Sequence, residues 1–356
     1  MIPVIDGHND TLTRIRHARP GERRSFLERA EFGHLDLPRA REGGMGGGFF
    51  AVFTQTRGWQ KRMEPLLDVD GEVVPGGWSV PLPARVDRRT SYAFTTAIIS
   101  DLLRLIEASD GAMTLIRTAS ELQEAIDSGT FAVILHIEGA EAIDTRLESL
   151  DVLHAAGLRS LGPVWSRPNA FGHGVPFDFP RSPDTGPGLT HAGRRLVQRC
   201  NELGIMLDVS HLNERGFWDV AELSEAPIVA THSNAHALSA TPRNLTDQQL
   251  DAVARSGGIV GLNYAVGFLR EDGHPDSGTP LARIAAHGRY IADRIGVEHL
   301  ALGSDFDGAI IPDELGDVTR LPILLDAFRD AGFSEEDVHR IAYRNWVRVL
   351  RDTWGQ

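Results

Sequence analysis

The sequence predicts an α/β fold: a (β/α)8 barrel, or TIM barrel, with long loops on its C-terminal face. Three observations lead to this prediction. Short apolar runs rich in β-favouring residues alternate with segments of helical periodicity. The runs are almost continuously apolar, as in parallel strands that are covered on both faces. There are eight of them, which is the number a closed barrel needs. A doubly wound open sheet is the alternative fold, because it is built from the same units.

Eight segments carry the strand pattern, and they lie at residues 2–6, 48–53, 131–136, 160–165, 205–209, 227–230, 258–262 and 299–303. Helical spacing predicts helices over residues 89–107, 119–127, 144–156, 190–203, 213–224, 246–256, 280–295 and 334–350. Asn213 and Thr246 suit helix N-caps, because their side chains can accept a hydrogen bond from the first turn. Gly157, Gly204 and Gly257 suit helix C-terminal ends.

Two stretches interrupt the alternation, residues 55–88 and residues 166–188, and both are rich in glycine and proline. Each follows a predicted strand, so in a barrel both would be insertions on the C-terminal face, where loops build active sites. Within the first, Asp70-Gly71 suits the turn of a small hairpin. Because no linker or repeat is evident, we expect residues 1–356 to form a single domain.

Composition narrows the function classes. The formal net charge of −13 disfavours nucleic acid or an anionic membrane surface as a partner. The one cysteine, Cys200, permits no internal disulfide and no CxxC zinc site, and we interpret it as a buried structural thiol. Neither a signal-peptide pattern nor an apolar run of about 20 residues is evident. We therefore expect a cytoplasmic protein.

Polar residues end several of the apolar runs. His8 and Asp10 end the first, and they are two residues apart, so they point the same way on an extended backbone. Four other runs have polar residues at or just after their ends: His136, Glu138, Asp208, His211, His232, Asp305 and Asp307. One such residue is commonly a cap or a solvated loop residue. Five strand ends converging on one mouth would bring together acids that repel without cations between them.

Histidines and carboxylates without thiolates suit one or two divalent cations such as Zn²⁺. Two metals bridged by a carboxylate can activate a hydroxide as a nucleophile at neutral pH. The strand ends therefore predict metal-assisted hydrolysis, most simply of an amide. The usual serine hydrolase and zincin motifs, G-x-S-x-G and H-E-x-x-H, do not occur in the sequence.

Six motifs occur in order along nearly the whole chain: Asp6-Gly7-His8-Asn9-Asp10, Glu138-Gly139, Asp208-Val209-Ser210-His211, Thr231-His232-Ser233, Arg243-Asn244 and Gly303-Ser304-Asp305-Phe306-Asp307-Gly308. With them, the chain resembles the membrane (renal) dipeptidase family, peptidase family M19 of the amidohydrolase-like barrels, in a bacterial-type cytosolic form. The resemblance implies a binuclear zinc metallopeptidase that hydrolyses dipeptides, including those with a D-residue at the C-terminal position.

The resemblance also implies roles for individual residues. His8 and Asp10 would hold the first zinc, and Glu138 would bridge both zincs. His211 and His232 would complete the second. Asp305 would move a proton from the bridging hydroxide to the leaving amine, and Arg243 would bind the free carboxylate of the small-molecule dipeptide. Because the family often forms dimers, a homodimer is also expected.

The sequence departs from the family at one position. Family dipeptidases carry a histidine at the end of strand four that helps to polarise the scissile carbonyl, and Trp165 stands there in this chain. His173, in the following loop, either substitutes for that histidine or is a solvated loop residue. Trp165, His173 and Asn169 are the candidate substrate contacts of this segment. The departure keeps two other functions open: an amidohydrolase acting on an N-acyl amino acid or a lactone, and a catalytically silent metal-binding relative.

Three neighbouring residues have open interpretations. Asp6 and Asp208 would either orient a ligand histidine or cap a turn. His136 and Glu138 resemble the His-x-Glu of a nucleobase deaminase, but that site also needs a Pro-Cys-x-x-Cys segment, which is absent. We therefore interpret His136 as a core histidine of the barrel wall. The glycines between residues 43 and 48 precede a strand, so they indicate tight packing and not a phosphate loop.

Overall fold

The computed structural model describes residues 1–18, 21–22, 24–56 and 77–355. All eight predicted runs form strands. The described strands are β1 (Val4–Asn9), β2 (Met45–Phe53), β3 (Trp78–Val80), β4 (Met113–Leu115), β5 (Phe131–Glu138), β6 (Leu158–Gly162), β7 (Phe177–Phe179), β8 (Met206–Leu207), β9 (Val229–Ala230), β10 (Ile259–Leu262) and β11 (Leu300–Leu302). The predicted Asp70-Gly71 turn lies outside the described residues.

The parallel strands close into a ring. One sheet has the order β1-β2-β5-β6-β8, and a second has the order β11-β10-β9. Two parallel bridges join them, Asp208 to Val229 and Asn9 to Phe306. The backbone N–H of Val209 also donates to the carbonyl of Val229 at 2.9 Å. Closure on both sides confirms the (β/α)8 barrel and excludes the open sheet.

Helices cover the outside of the ring. They are α1 (Thr11–Arg16), α2 (Leu37–Gly43), α3 (Arg88–Ala108), α4 (Ala119–Ser128), α5 (Glu148–Ala155), α6 (His191–Leu203), α7 (Glu214–Leu223), α8 (Asp247–Arg255), α9 (Ala282–Ile295), α10 (Leu321–Asp330), α11 (Glu335–His339) and α12 (Asn345–Trp354). Single 3₁₀ turns lie at Ala140–Ala142, Val266–Phe268, Val297–His299 and Val318–Arg320, and a π turn at Arg340–Arg344 joins α11 to α12. Asn213 and Thr246 cap α7 and α8 as predicted. The sequence patterns missed α1, α2 and α10.

The lower part of the barrel is filled by an apolar cluster that we call the barrel floor. The buried members of the cluster include Ile5, Phe49, Ile134, Met206, Val229, Ile259, Ala301 and Trp346. The Trp346 ring lies 4.9 Å from that of Phe49, and its indole N–H donates to the carbonyl of Leu302 at 3.1 Å. A Cβ added to Gly7 would lie 2.6 Å from the Trp346 ring, so a larger residue there would displace it. The last helix thus anchors the ring from inside.

The two predicted insertions meet each other. The strand β3, from the first, pairs antiparallel with β7, from the second, and Trp78 lies opposite Phe179. Since the segments follow β2 and β6, this two-stranded sheet belongs to the C-terminal side of the barrel. Among the described residues, no helix combines the length and the apolar character that a membrane crossing requires.

Candidate metal centre

Three histidines and one glutamate converge at the mouth of the barrel. Oε1 of Glu138, the last residue of β5, lies 2.9 Å from Nε2 of His211, 3.5 Å from Nε2 of His232 and 3.7 Å from Nε2 of His8. The three histidines come from different strand ends, and all four side chains are buried. One carboxylate oxygen therefore lies within reach of every predicted histidine ligand.

Two carboxylates extend the cluster on the side of His8. Oδ2 of Asp10 lies 3.9 Å from Nε2 of His8. Ligand atoms of His8, Asp10 and Asp305 all lie within 4.8 Å of one another, and so do those of His8, Glu138 and His232. These two groups share His8, and His211 adjoins them through its contact with Glu138. The structure thus brings together the five predicted ligands and the predicted proton carrier.

Buried polar atoms in these groups lack hydrogen bonds. Within the described part of the chain, neither ring nitrogen of His8 has a hydrogen-bond partner, nor do Oδ1 of Asp10 and Oε2 of Glu138. An unsatisfied polar atom in the interior is costly, so such atoms call for an explanation. Divalent cations fit here, because nitrogen and carboxylate oxygen donors surround the same small volume.

The histidines are in the form that binds a metal. Burial lowers the pKa of His8, His211 and His232 well below the ordinary value, and neighbouring positive groups such as Arg243 lower it further. Their rings are therefore neutral at physiological pH, and each keeps a lone pair for a cation. A protonated imidazole would offer none.

The carboxylates show the opposite behaviour. Burial raises the pKa of Glu138 and of Asp10 well above the ordinary value, and in both cases the charge of Asp305 adds to the effect. The pKa of Asp305 is also raised by burial, whereas Arg243 acts in the lowering direction. Acids crowded in this way ionise together only if cations lie among them.

Hydroxyl groups hold two of the histidine rings from behind. Oγ of Ser166 lies 2.8 Å from Nδ1 of His211, and Oγ1 of Thr231 lies 2.8 Å from Nδ1 of His232. The Thr231 hydroxyl in turn donates to Oδ2 of Asp208 at 2.6 Å. These contacts fix the rings with Nε2 toward Glu138, as supporting hydrogen bonds do in metal sites. Asp208 therefore has both of the roles considered for it. It orients the His232 ring through Thr231, and its Oδ1 caps the turn after β8 by accepting from the N–H and the hydroxyl of Ser210 at 3.0 and 2.6 Å.

Asp6 has the capping role alone. Its carboxylate accepts hydrogen bonds from the backbone N–H of Ser304 at 2.6 Å and from the Ser304 hydroxyl at 2.9 Å. Burial, the dominant influence, raises its pKa to about 7. Asp6 therefore caps the turn after β11 and joins it to β1, and among the described residues it makes no hydrogen bond to the ring of a ligand histidine.

His136 is buried in the wall, as expected, but it lies beside the centre. Its Nδ1 lies 2.8 Å from Oγ of Ser160, its Nε2 lies 3.6 Å from Oδ2 of Asp208, and its ring is 5.5 Å from that of His8. Burial lowers its pKa to about 4, so the ring is neutral. His8, His136 and Asp208 also form a group whose ligand atoms lie within 4.8 Å.

Asp305 is held in an unusual backbone conformation. Its φ is +60°, a left-handed value that non-glycine residues rarely adopt outside functional sites and turns. Its N–H donates to the carbonyl of His8 at 3.0 Å, and the Asn263 amide donates to its Oδ2 at 3.1 Å. A Cβ on Gly308 would lie 2.3 Å from carboxylate oxygens of both Asp10 and Asp305. The glycine of the motif is therefore needed for this close approach.

Arg243 is buried at the same mouth. Its guanidinium donates to the carbonyls of Ser210 and His232, and it lies 5.5 Å from the centre of the Phe268 ring. Its Nε has no hydrogen-bond partner within the described chain. Burial lowers its pKa, while the charges of Asp305 and Glu138 act in the raising direction. A fixed cation thus adjoins the carboxylates.

The three residues predicted to contact the substrate, in the loop after β6, have different surroundings. The Trp165 ring lies 5.8 Å from that of His211, at the edge of the centre. The Asn169 amide donates to the carbonyl of Pro163 and accepts from the N–H groups of Phe171 and Gly172, so it shapes its own loop. The pKa of His173 is lowered by burial and by the charge of Arg85, and no hydrogen bond links its ring to a ligand histidine in the described ranges.

Some supporting residues carry a sequence signal and others do not. Thr231 directly precedes a ligand histidine, and Asn263 is the first polar residue after β10, so each marks a strand end. Ser166 serves a histidine 45 residues away, on another strand. A single hydroxyl residue at that separation gives no pattern from which the pairing could be read.

A barrel whose mouth joins neutral histidines to carboxylates is the architecture of a metal-dependent hydrolase of the amidohydrolase-like kind. The family model described as "Membrane dipeptidase (Peptidase family M19)" matches residues 1–354. The chain belongs to this family, and it is a metallopeptidase of the dipeptidase type.

Individual relatives are similar to this chain over most of its length. A crystal structure of a metallo peptidase from Rhodobacter sphaeroides, liganded with a phosphinate mimic of the dipeptide L-Ala-D-Ala, is 47% identical, with a TM-score of 0.94 and 99% of each chain covered. A protein of Klebsiella pneumoniae, described as an uncharacterized protein in the pqqA 5′ region, is 49% identical over 72% of this chain and 94% of its own length. Dipeptidase verJ of Clonostachys rogersoniana is 28% identical over 98% of this chain and 84% of its own.

Proposed function

We propose that the protein is a binuclear zinc dipeptidase whose substrates include dipeptides with a D-residue at the C-terminal position. One observation carries the proposal: a single oxygen of Glu138 lies within 3.7 Å of Nε2 atoms from His8, His211 and His232. A bridging carboxylate between two sets of ligands would have this position. The dipeptide mimic bound to the Rhodobacter sphaeroides relative supports the substrate class.

The residues divide into two ligand sets. His8 and Asp10 would hold one ion, His211 and His232 would hold the other, and Glu138 would contact both. When bound, a pair of divalent ions polarises a carbonyl and makes water acidic enough to react at neutral pH. The neutral rings of the three histidines suit this role, because their lone pairs need no deprotonation step first.

Asp305 is the proposed proton carrier. It takes the proton of the attacking water and gives it to the nitrogen of the leaving amine as the C–N bond breaks. Its raised pKa favours such a role, because a carboxylate of ordinary pKa is a weak base and releases a proton too readily near neutrality. The hydrogen bond from Asn263 fixes Oδ2 of Asp305, so Oδ1 is the oxygen that would exchange the proton.

Arg243 is the proposed partner of the substrate's free carboxylate. It is buried beside the carboxylates of the centre, and its Nε has no hydrogen-bond partner among the described residues. A guanidinium that is already fixed by two backbone carbonyls loses little freedom when it binds a second group. Trp165 would border the same space, and His173 and Asn169 remain proposed contacts from the loop.

A peptide panel tests the function. Purified protein loaded with Zn²⁺ is offered L-Xaa-L-Xaa and L-Xaa-D-Xaa dipeptides, and release of free amino acids is measured. We expect cleavage of both series, and we expect Asp305→Asn to lower kcat by about 10²–10⁴-fold with little change in zinc content. Zinc-loaded protein that cleaves no member of either series would contradict the proposal.

Trp165 motivates a second candidate, because it stands where family dipeptidases carry a carbonyl-polarising histidine. An amidohydrolase that acts on N-acyl amino acids or lactones would keep the metal ligands and change this position. The same panel, extended to those compounds, separates the two functions. Faster turnover of an N-acyl amino acid or a lactone than of any dipeptide would favour the second candidate.

A further inference from the structure

Beside Trp165 lies a buried ion pair that the proposed reaction does not use. Nε of Arg167 donates to Oε1 of Glu141 at 2.7 Å, and the two side chains are 0% and 2% exposed. Arg167 is in the loop after β6, and Glu141 is in the turn after β5. Taking two charges out of water is expensive, and well-packed apolar residues often serve stability equally well. A role beyond stability would account for the pair.

The Arg167 guanidinium lies against two aromatic rings. Its central carbon is 5.2 Å from the centre of the Phe53 ring and 5.3 Å from that of Trp165. Both distances fall within the range in which a cation is attracted to a ring face, and the attraction is stronger when the site is desolvated. The Trp165 and Phe53 rings also contact each other, with 4.6 Å between their centres. The cation thus holds the two rings as a unit.

Backbone contacts tie the same arginine to its loop. The N–H of Arg167 donates to the carbonyl of Trp165 at 2.6 Å, and its own carbonyl accepts from Gly174 at 3.3 Å. A Cβ on Gly174 would lie 1.9 Å from the Trp165 carbonyl oxygen, so only glycine permits this closure. The guanidinium also donates to the Thr56 hydroxyl at 3.0 Å. Arg167 therefore connects the loops that follow β2, β5 and β6.

Trp165 contributes to what we call the aromatic wall, formed by Phe53, Trp165, Phe177 and Phe268. At one end the Trp165 ring lies 5.8 Å from that of His211, a metal-ligand candidate. At the other end Phe268 stacks on Phe177, and Arg243 lies over the Phe268 ring. The wall therefore runs from the metal ligands to the group proposed to bind the substrate carboxylate. A dipeptide bound between those two points would place its side chains against the wall.

We propose that Glu141 and Arg167 are positioning residues that hold Trp165 in the aromatic wall, and that this wall restricts the substrates to dipeptides with small apolar side chains. This inference rests on the proposed dipeptidase function. A bulky side chain would have to displace Trp165, and that would require the buried pair and its two ring contacts to separate. A small apolar side chain packs against the rings as they stand.

The test compares Trp165→Ala with the double variant E141Q/R167M. The double variant removes both charges, because either single change leaves one buried charge unpaired and endangers folding. The matched control is E148Q/R146M, which alters an exposed ion pair of the same residue types. For each protein, kcat and KM are measured with L-Ala-L-Ala and L-Phe-L-Phe, together with zinc content.

We expect Trp165→Ala to raise kcat/KM for L-Phe-L-Phe relative to L-Ala-L-Ala by about tenfold, mainly through KM. The double variant should shift the ratio in the same direction, while the control leaves it unchanged. A merely structural pair would lower both activities equally and keep the ratio. If the ratio is unchanged in Trp165→Ala, the wall does not restrict the substrates. If the ratio changes in Trp165→Ala but not in the double variant, the ion pair does not position Trp165.

A second readout is independent of turnover. Acrylamide quenching is measured on the fluorescence that Trp165→Phe removes, in the wild-type background and in E141Q/R167M. We expect the Trp165 emission to be shielded in the first and quenched in the second. Equal shielding in both would overturn the positioning claim. Wild-type protein that cleaves no dipeptide yet shows the shielding difference would overturn the proposed function and the substrate restriction, and would support the positioning of Trp165.

Discussion

The floor and the mouth of the barrel are built by the same strands, yet they differ in how their buried groups are satisfied. In β1, Ile5 belongs to the floor and His8 to the mouth, and in β5 Ile134 and Glu138 divide in the same way. All four side chains are buried. The floor residues are satisfied by packing and by one hydrogen bond, from the indole N–H of Trp346 to the carbonyl of Leu302. Among the described residues, the mouth contains buried polar atoms without hydrogen bonds, which divalent cations fit, and the floor contains none.

This difference assigns stability to one region and chemistry to the other. Changes in the floor should lower the free energy of unfolding and spare the chemistry of the folded molecules. Changes in the mouth should remove metal or activity while the fold remains. Four substitutions test that division, and we expect their free-energy effects to decrease in the order Glu138→Gln, Trp346→Ala, His287→Gln and Thr231→Val.

The largest effect is expected from Glu138→Gln. The amide cannot supply the charge that the two proposed cations would share, so we expect kcat/KM to fall by about 10⁴-fold and zinc content to drop. Zinc is measured by mass spectrometry and unfolding by urea. Glu148→Gln, at an exposed position, is the control. Full zinc content in Glu138→Gln would show that Glu138 is not the bridging ligand.

Next comes Trp346→Ala in the floor. Removing this fully buried ring leaves a cavity inside the barrel, and we expect a loss of about 4 kcal/mol in the free energy of unfolding. Zinc content and kcat per folded molecule should be nearly unchanged below the unfolding transition. Trp354→Ala, which removes a partly buried tryptophan of the same helix, should cost less. Loss of zinc with retained stability would mean that the two regions are not separable.

His287 is a buried histidine outside the mouth, and its ring differs from that of His8 in how it is satisfied. Both ring nitrogens of His287 have partners: Nδ1 accepts from the N–H of Ala235 at 3.1 Å, and Nε2 lies 3.0 Å from the carbonyl of Leu269. Burial lowers its pKa to about 4 from 6.5. The unfolded chain takes up the proton first, so the stabilisation is complete above pH 6.5 and is lost as the pH falls toward 4.

We therefore expect His287→Gln to make unfolding less sensitive to acid. The variant keeps a donor and an acceptor but does not titrate. The difference in unfolding free energy between wild type and variant should fall by about 3 kcal/mol between pH 6.5 and pH 4, as judged from urea titrations of metal-free protein. Parallel pH profiles for the two proteins would contradict the assignment.

The smallest effect is expected from a residue that supports a ligand histidine through a hydrogen bond. Thr231→Val removes the hydroxyl between Asp208 and His232, and we expect zinc affinity to fall by about 10–100-fold. Affinity is measured by competition with a chelator of known strength. Thr353→Val, which removes a hydroxyl from α12, is the control. An unchanged affinity would mean that packing alone orients the His232 ring.

Much of the barrel could be predicted from the sequence, because each of its strands is an apolar run and each ligand ends one. Gly47 and Gly48 have the packing role expected of them, since a Cβ on either would lie within 2.6 Å of a backbone oxygen of the neighbouring strand. The strands β3, β4 and β7 were missed. They are not strands of the ring: β3 and β7 lie in the two insertions, and β4 pairs with β5 off the main path of its sheet. The helix α10 was missed as well, although its apolar face packs on the core.

The supporting contacts of the site could be predicted only in part. Asp208 was recognised as a candidate for orienting a histidine, but the intermediate Thr231 hydroxyl depends on rotamers that no spacing specifies. The partnership of Arg167 with Glu141 joins two loops 26 residues apart. Residues that act on the substrate through another residue have no fixed spacing, whereas ligands at strand ends do.

In the proposed function, Glu138 joins two metal ions into one catalytic unit. A titration of metal-free protein with Zn²⁺, in which bound zinc and cleavage of L-Ala-D-Ala are followed together, tests this role of Glu138. We expect both quantities to rise until two equivalents per chain are bound, and we expect Glu138→Gln to show neither full binding nor full activity. Activity that is complete at one equivalent, or that is unaffected by Glu138→Gln, would contradict this role.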